Sequence, residues 1–205
     1  MIYGEFKRCS YIVGIGSSAG GLEALSIMIA ALPVNLGITY VIIQHLSPSH
    51  RNLMVQLLGR ETQMAVCEIQ DKSVPKPDMV FVAPAGRDVI LRSGHFRLLE
   101  TQQEILPKPS ANAFMTSLAL EKAAGAIGVV LSGTGTDGTV GLKEIKANGG
   151  ITFAQTPCSA KYNGMPQSAI DSGHVDWILT PDEIATKIAS LVFYSSQPKV
   201  NNDVS

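Results

Sequence analysis

Apolar and polar positions fall into two kinds of block along this chain. Short runs rich in β-branched residues alternate with stretches in which apolar residues return every three or four positions, the pattern of strands joined by crossover helices. Residues 11–15 are the first run. The chain then passes through Gly14-Ile15-Gly16-Ser17-Ser18-Ala19-Gly20-Gly21, after which Leu22, Leu25, Ile29 and Leu32 keep helical spacing until Pro33 ends it. Ile38–Gln44 is a second, almost continuously apolar run, as a strand covered on both faces requires, and it stops at Gln44-His45 ahead of the turn signal Ser47-Pro48. Further strands are expected over residues 65–69, 79–83, 126–132, 151–154 and 176–179. Residues 89–91 and 96–99 flank Ser93-Gly94 and predict a β-hairpin. Thr180-Pro181-Asp182-Glu183 reads as a helix start, with Thr as cap, Pro at the first position and Glu three residues after the cap, opening a helix to about Phe193. The expected fold is α/β: a doubly wound, mostly parallel sheet flanked by helices, with an inserted β-hairpin. A single domain is expected over residues 11–194, between a short N-terminal segment (1–10) and a polar C-terminal tail (195–205).

Composition narrows the function classes. Lys and Arg number 16 against 17 Asp and Glu, a net charge of -1 with pI ≈ 6.4, so the chain lacks the basic footprint of a nucleic-acid binder. Charged residues make up 16%, hydrophobic ones 45%, and mean hydropathy is +0.19, which describes a core-rich globule. No apolar run nears the ~20 residues of a membrane span, and residues 1–8 lack a signal peptide's apolar stretch. A cytoplasmic protein without membrane insertion is expected. Cys9, Cys67 and Cys158 are far apart and outside any C-x-x-C pair, so neither a zinc cage nor a disulfide framework is expected. Cys158 as a nucleophile is disfavoured, because no histidine lies near it in sequence.

The glycine turns narrow the chemistry further. Gly14-x-Gly16-x-x-Ala19 and Gly133-x-Gly135-x-x-Gly138 both echo the dinucleotide fingerprint, but no acidic residue stands between Glu23 and Glu61 or between Glu144 and Asp171 to hold a ribose. Gly16-Ser17-Ser18-Ala19-Gly20 fits a nucleophile elbow, in which Ser18 sits on a sharp strand-to-helix bend beneath the helix's first amides. An N-cap serine among packing glycines is the alternative, and the motif alone admits both. A serine nucleophile needs a base, and the histidines are His45, His50, His95 and His174. His95 falls in the hairpin and His50 in a polar loop or helix start. His45 ends a buried strand directly after the serine unit, and neighbouring strand ends in such a sheet face one crevice. Asp137, in the second glycine turn, is the candidate to orient the imidazole, against the plainer reading as an Asx-turn or helix cap. Ser18, His45 and Asp137 form the first triad; Ser18, Asp137 and His174 form a rival in α/β-hydrolase order.

Residues 14–21, Gln44-His45-Leu46-Ser47-Pro48, Ala83-Pro84-Ala85-Gly86, residues 131–138 and Gly164-Met165-Pro166 together resemble, in order and content, the catalytic domain of bacterial chemotaxis protein-glutamate methylesterases of the CheB type, over about residues 11–193. The resemblance implies hydrolysis of glutamate methyl esters, and deamidation of certain glutamines, on the cytoplasmic helices of methyl-accepting chemoreceptors. It implies Ser18, His45 and Asp137 as catalytic residues, an oxyanion and substrate pocket at Ala19, Gly20, Thr134 and Met165, and neither metal nor organic cofactor. The family usually has Met at position 134, often Thr at position 19, Pro-Ser-Val-Asp where this chain has Pro109-Ser110-Ala111-Asn112, and a histidine near Arg87-Asp88. Members usually carry a receiver domain ahead of this one, and only residues 1–10 precede the first strand here. Phospho-control is therefore expected from outside this chain, in cis in a longer polypeptide or in trans. The alternative, prompted by Thr134 and Asn112, is a non-catalytic docking module for receptors or signalling partners.

Overall fold

The computed structural model describes residues 11–45, 53–99 and 108–195. The expectations for the two termini, for Ser47-Pro48 and for His50 lie outside them. The apolar runs become β1 (Tyr11–Ser17), β2 (Ile38–Gln44), β3 (Ala65–Glu68), β4 (Met79–Val82), β7 (Ala126–Val130), β8 (Ile151–Gln155) and β9 (Trp177–Leu179), while β5 (Asp88–Arg92) and β6 (His95–Leu99) form the expected hairpin. The seven strands make one sheet in the order β3-β4-β2-β1-β7-β8-β9. Each of its neighbouring pairs is parallel, and among the described residues antiparallel pairing is confined to the hairpin. The hairpin turns through Ser93 (φ 52°) and Gly94 (φ 73°), both left-handed as a two-residue type I′ turn demands.

Between the strands run α1 (Gly21–Ala31), α2 (Leu53–Leu58), α3 (Ala111–Lys122), α4 (Thr139–Ala147), α5 (Gly164–Asp171) and α6 (Pro181–Ser195). Strand periodicity divides the core between the two faces of the sheet. Ile38, Tyr40 and Ile42 of β2 join Leu25, Met28 and Ile29 of α1 and Ile184 and Ile188 of α6. Val41 and Ile43 face the other way, with Phe114, Met115 and Leu118 of α3 and Leu142 of α4. At α6 the cap differs from the expectation. Glu183 does accept from the Thr180 N–H at 2.9 Å, but the Thr180 hydroxyl donates to Asp182 and Glu183 instead of accepting from the helix. Among the described residues no helix is long and apolar enough to cross a membrane.

Gly14 and Gly16 serve packing, not phosphate binding. A Cβ at Gly16 would lie 2.7 Å from Ala111 Cβ, and one at Gly14 would lie 3.0 Å from Phe114 Cε1. Their bareness lets the start of α3 settle onto the carboxyl half of β1. Gly16→Ala is therefore expected to lower unfolding free energy by about 1–3 kcal/mol through overpacking, read by chemical denaturation.

Candidate active site

The sheet order decides which loops meet. β1 lies between β2 and β7, in register from Ser17↔Gln44 on one side to Gly16↔Val130 on the other. The chain leaves β1 through α1 toward β2, and leaves β7 through α4 toward β8, so the winding direction reverses between β1 and β7. Such a reversal opens a crevice at the carboxyl ends. Ser18 follows directly on β1 and His45 on β2, and the 133–138 turn lies just beyond β7. The bend at Ser18 is pinned on both sides: its N–H donates to Ser132 O at 3.0 Å, its carbonyl accepts from Gly21 N–H at 2.9 Å and Gln44 Nε2 at 2.7 Å, and the His45 N–H donates to Ser17 O at 3.1 Å. The two adjacent serines differ in fate. Ser17 is buried, and its hydroxyl donates to Gln44 Oε1; Ser18 is half-buried at the crevice. Gly20, the α1 cap at φ 69°, passes under Lys161, whose Cβ a side chain at position 20 would approach to 2.8 Å.

His45 Nε2 and Asp137 Oδ2 stand 2.9 Å apart, with side-chain exposures of 10% and 17%. The carboxylate is held by the start of α3. Oδ2 also accepts from the Ala111 N–H at 2.7 Å; Oδ1 accepts from the N–H groups of Asn112 (2.9 Å) and Gly138 (3.1 Å) and from Ser110 Oγ (3.2 Å). An anion at a helix N-terminus meets otherwise unpaired amides and the positive end of the dipole. Burial alone would push the Asp137 carboxyl up, but the bonds from His45, Asn112 and Ala111 outweigh it and hold it below the usual carboxylate range. Ionised Asp137 therefore keeps a proton on Nε2 and leaves Nδ1 as the basic nitrogen. Among the described residues Nδ1 has no partner, and neither has Ser18 Oγ. The structure thus joins His45 to Asp137 but draws no hydrogen bond between Ser18 and His45. The two follow directly after a paired position on neighbouring strands, ~4.8 Å apart in a sheet, a gap that side-chain rotation spans.

The other expected site residues sort as follows. Ala19 and Thr134 have backbone N–H groups that donate to no acceptor among the described residues, as oxyanion donors must before substrate arrives. Met165 is fully buried. A Cβ at Gly133 would lie 2.2 Å from Met165 Sδ and 3.0 Å from Ser18 Cβ, so glycine is required between them. Ser18 and Gly20 open on a mostly apolar cavity of ≈ 410 Å³ with Leu22, Leu53 and Leu57 in its wall. Gly20 also borders a larger groove of ≈ 670 Å³, which holds exposed Cys158 but not Ser18. Among the described residues no cluster of three or more His, Cys, Asp or Glu side chains suits a metal ion.

His174 does not reach this rim. Its carbonyl accepts from Thr152 Oγ1 at 2.7 Å, at the start of β8 and ahead of β9, on the amino side of the sheet. The rival triad in α/β-hydrolase order is therefore not assembled, and His174→Ala is expected to keep turnover within about twofold of the unaltered chain in a steady-state ester hydrolysis assay. His95 bonds Ser93 O at 2.8 Å inside the hairpin. Sequence reasoning missed the cradle formed by Ser110, Ala111 and Asn112, and the brace formed by Gln44. The cap signature Pro109-Ser110 ahead of Phe114, Met115 and Leu118 at helical spacing was the signal for α3; nothing local announced that an aspartate 25 residues on would fill its N-terminus.

The CheB methylesterase family model matches residues 13–188. The protein-glutamate methylesterase/protein-glutamine glutaminase of Moorella thermoacetica is 34% identical over 186 residues, which cover 88% of this chain and 44% of that protein. A protein of Geobacter sulfurreducens, protein-glutamate methylesterase/protein-glutamine glutaminase 1, is 33% identical over 187 residues, 88% of this chain and 52% of its own. The chain thus spans about half the length of these curated relatives. The crystal structure of the Thermotoga maritima CheB methylesterase catalytic domain superposes with a TM-score of 0.84 at 30% identity, covering 88% of this chain and 98% of that one. With the sheet, its crevice and the sequence in agreement along most of its length, the chain belongs to the CheB methylesterase family.

Proposed function

We propose that this chain hydrolyses glutamate methyl esters on the cytoplasmic helices of chemoreceptors, with Ser18 as nucleophile, His45 as general base and acid, and Asp137 as the residue that orients and charges the imidazole. The observation that carries the reading is the 2.9 Å pair of His45 and Asp137 at the strand end beside Ser18, in a member of this family. Ser18 Oγ attacks the ester carbonyl carbon and passes its proton to His45 Nδ1. The tetrahedral oxyanion rests on the Ala19 and Thr134 N–H groups. Collapse breaks the bond to the methoxy oxygen, which takes the proton from His45 and departs as methanol, leaving acyl-Ser18. Water then attacks, gives its proton to Nδ1, and releases glutamate as Ser18 regains its hydroxyl. The same steps on a glutamine side chain release ammonia, the deamidation for which the curated relatives are also named. Control by a receiver domain, in a longer polypeptide or in trans, and action in the cytoplasm belong to the same reading.

The lack of a Ser18–His45 hydrogen bond among the described residues favours one other reading, a docking module of the same fold. Methylated receptor membranes distinguish the two. Hydrolysis predicts methanol release that depends on protein concentration; docking predicts co-sedimentation of the protein with the membranes and no methanol.

A further inference from the structure

The side chain of Asn112 does something the triad reading leaves unused. Its Oδ1 accepts two backbone N–H groups, Gly138 at 3.0 Å and Gly141 at 2.9 Å, while its own backbone N–H donates to Asp137 Oδ1 at 2.9 Å. The Gly138 N–H is shared: it also points at Asp137 Oδ1, 3.1 Å away. Two oxygens, one from a neutral amide and one from a carboxylate, therefore converge on a single donor. Gly138 sits at φ 96° and caps α4, and its place against Val130 leaves no room for a Cβ, so the turn has little freedom of its own to relax. Asn112 is the clamp that ties the start of α3 to the start of α4 with Asp137 between them.

We propose that Asn112 is a positioning residue for the His45–Asp137 pair: its amide oxygen fixes the turn that carries Asp137, and its neutrality leaves Asp137, among the described residues, the only carboxylate bound directly to that turn's amides. Among the described residues few ionisable groups surround the pair. His45 faces Asp137 from the end of β2. From β5, Asp88 Oδ1 accepts the backbone N–H of Ser110, itself part of the cradle, at 2.8 Å, with Lys108 Nζ 4.0 Å from its other oxygen. From α4 and α5 the nearby polar groups are the hydroxyls of Thr139 and Ser168, bonded to each other at 2.9 Å. An aspartate at position 112 would offer the same acceptor to Gly138 and Gly141 and so keep the clamp, but it would add a like charge next to Asp137. Like charge favours the protonated forms of both Asp137 and His45.

The proposal rests on the hydrolase reading only for its kinetic consequence, so its test starts from a quantity that needs no turnover. The His45 imidazole is titrated by NMR in the full chain, unaltered and as Asn112→Asp, with assignment by His45→Gln. The expected result is an upward move of the His45 midpoint by about one pH unit in Asn112→Asp, in a protein that stays folded with a thermal midpoint near neutral pH lowered by no more than a few degrees. Asn112→Ala, which removes the acceptor, is expected to lower kcat for methyl-ester hydrolysis about tenfold with KM little changed, and Asn112→Asp to restore turnover on the alkaline side of its shifted profile. A His45 midpoint that is the same in both proteins overturns the proposal, as does a folded Asn112→Ala protein with unaltered kcat. An unaltered chain that releases no methanol sinks the hydrolase reading alone and leaves the titration to decide the clamp.

Discussion

Ser18→Ala is expected to cut the rate of methanol release from methylated receptor membranes by at least about 10⁴-fold, while the protein keeps its thermal midpoint within a few degrees. The size follows from what the hydroxyl does. Without it no acyl-enzyme forms, His45 has no proton to take, and what remains is the modest help of oxyanion donors and binding. The fold is spared because the Ser18 hydroxyl bonds nothing among the described residues; the hydrogen bonds that pin the bend are made by its backbone. Ser17→Ala makes the contrast. Ser17 is buried and its hydroxyl is satisfied by Gln44, so its loss is expected to act on stability, leaving Gln44 Oε1 without a donor, and to leave most of the turnover in place. A Ser18→Ala protein with near-normal methanol release would remove the nucleophile from the account.

Asp137→Asn is expected to lower kcat by about 10³–10⁴-fold. An amide at this position can point either its oxygen or its NH₂ at His45, but five donors surround the carboxylate, and an amide group cannot satisfy them all as an acceptor. The imidazole then loses both its fixed tautomer and the charge that steadies the imidazolium. The same substitution is expected to cost about 1–2 kcal/mol of stability at neutral pH, by loss of charge-assisted bonds. The pH dependence of that difference has a definite sign. Asp137 is held below the usual carboxylate range in the folded chain, so its contribution is fully present above the unfolded value of about 3.9 and is lost as pH falls through the lower folded value. Denaturation curves of the unaltered chain and of Asp137→Asn should therefore stand furthest apart near neutrality and converge in acid. A gap that widened on acidification would contradict the assignment of a depressed carboxyl.

How far the sequence could be read depends on whether its signals were local. β1 and β2 were legible because strands covered on both faces carry long apolar runs, and the Ser93-Gly94 turn because two left-handed residues in succession leave few alternatives. That Ser18 and His45 follow neighbouring strand ends was legible from a rule of parallel sheets, that neighbouring strands in sequence place their carboxyl ends side by side. Asp137 was harder, since an isolated aspartate in a glycine turn is more often a cap than a catalyst. In this chain it fills the N-terminus of α3 and also bonds His45, as the proposed triad requires. Gly14 and Gly16 imitate a phosphate-binding fingerprint, but what demands them is the close passage of Ala111 and Phe114, a contact between segments nearly a hundred residues apart that no local pattern encodes. Met165 was expected in the pocket on resemblance; it is fully buried, its sulfur close against Gly133.

A fluorophosphonate ester tests the central claim most directly, because it reacts only with a serine whose hydroxyl is activated and whose oxyanion donors are in place. Intact-mass and peptide analysis of the labelled chain should find a single adduct on Ser18, formed far more slowly in His45→Ala and at an unchanged rate in His174→Ala. An unlabelled Ser18, or an adduct carried by another residue at full rate, would contradict the account.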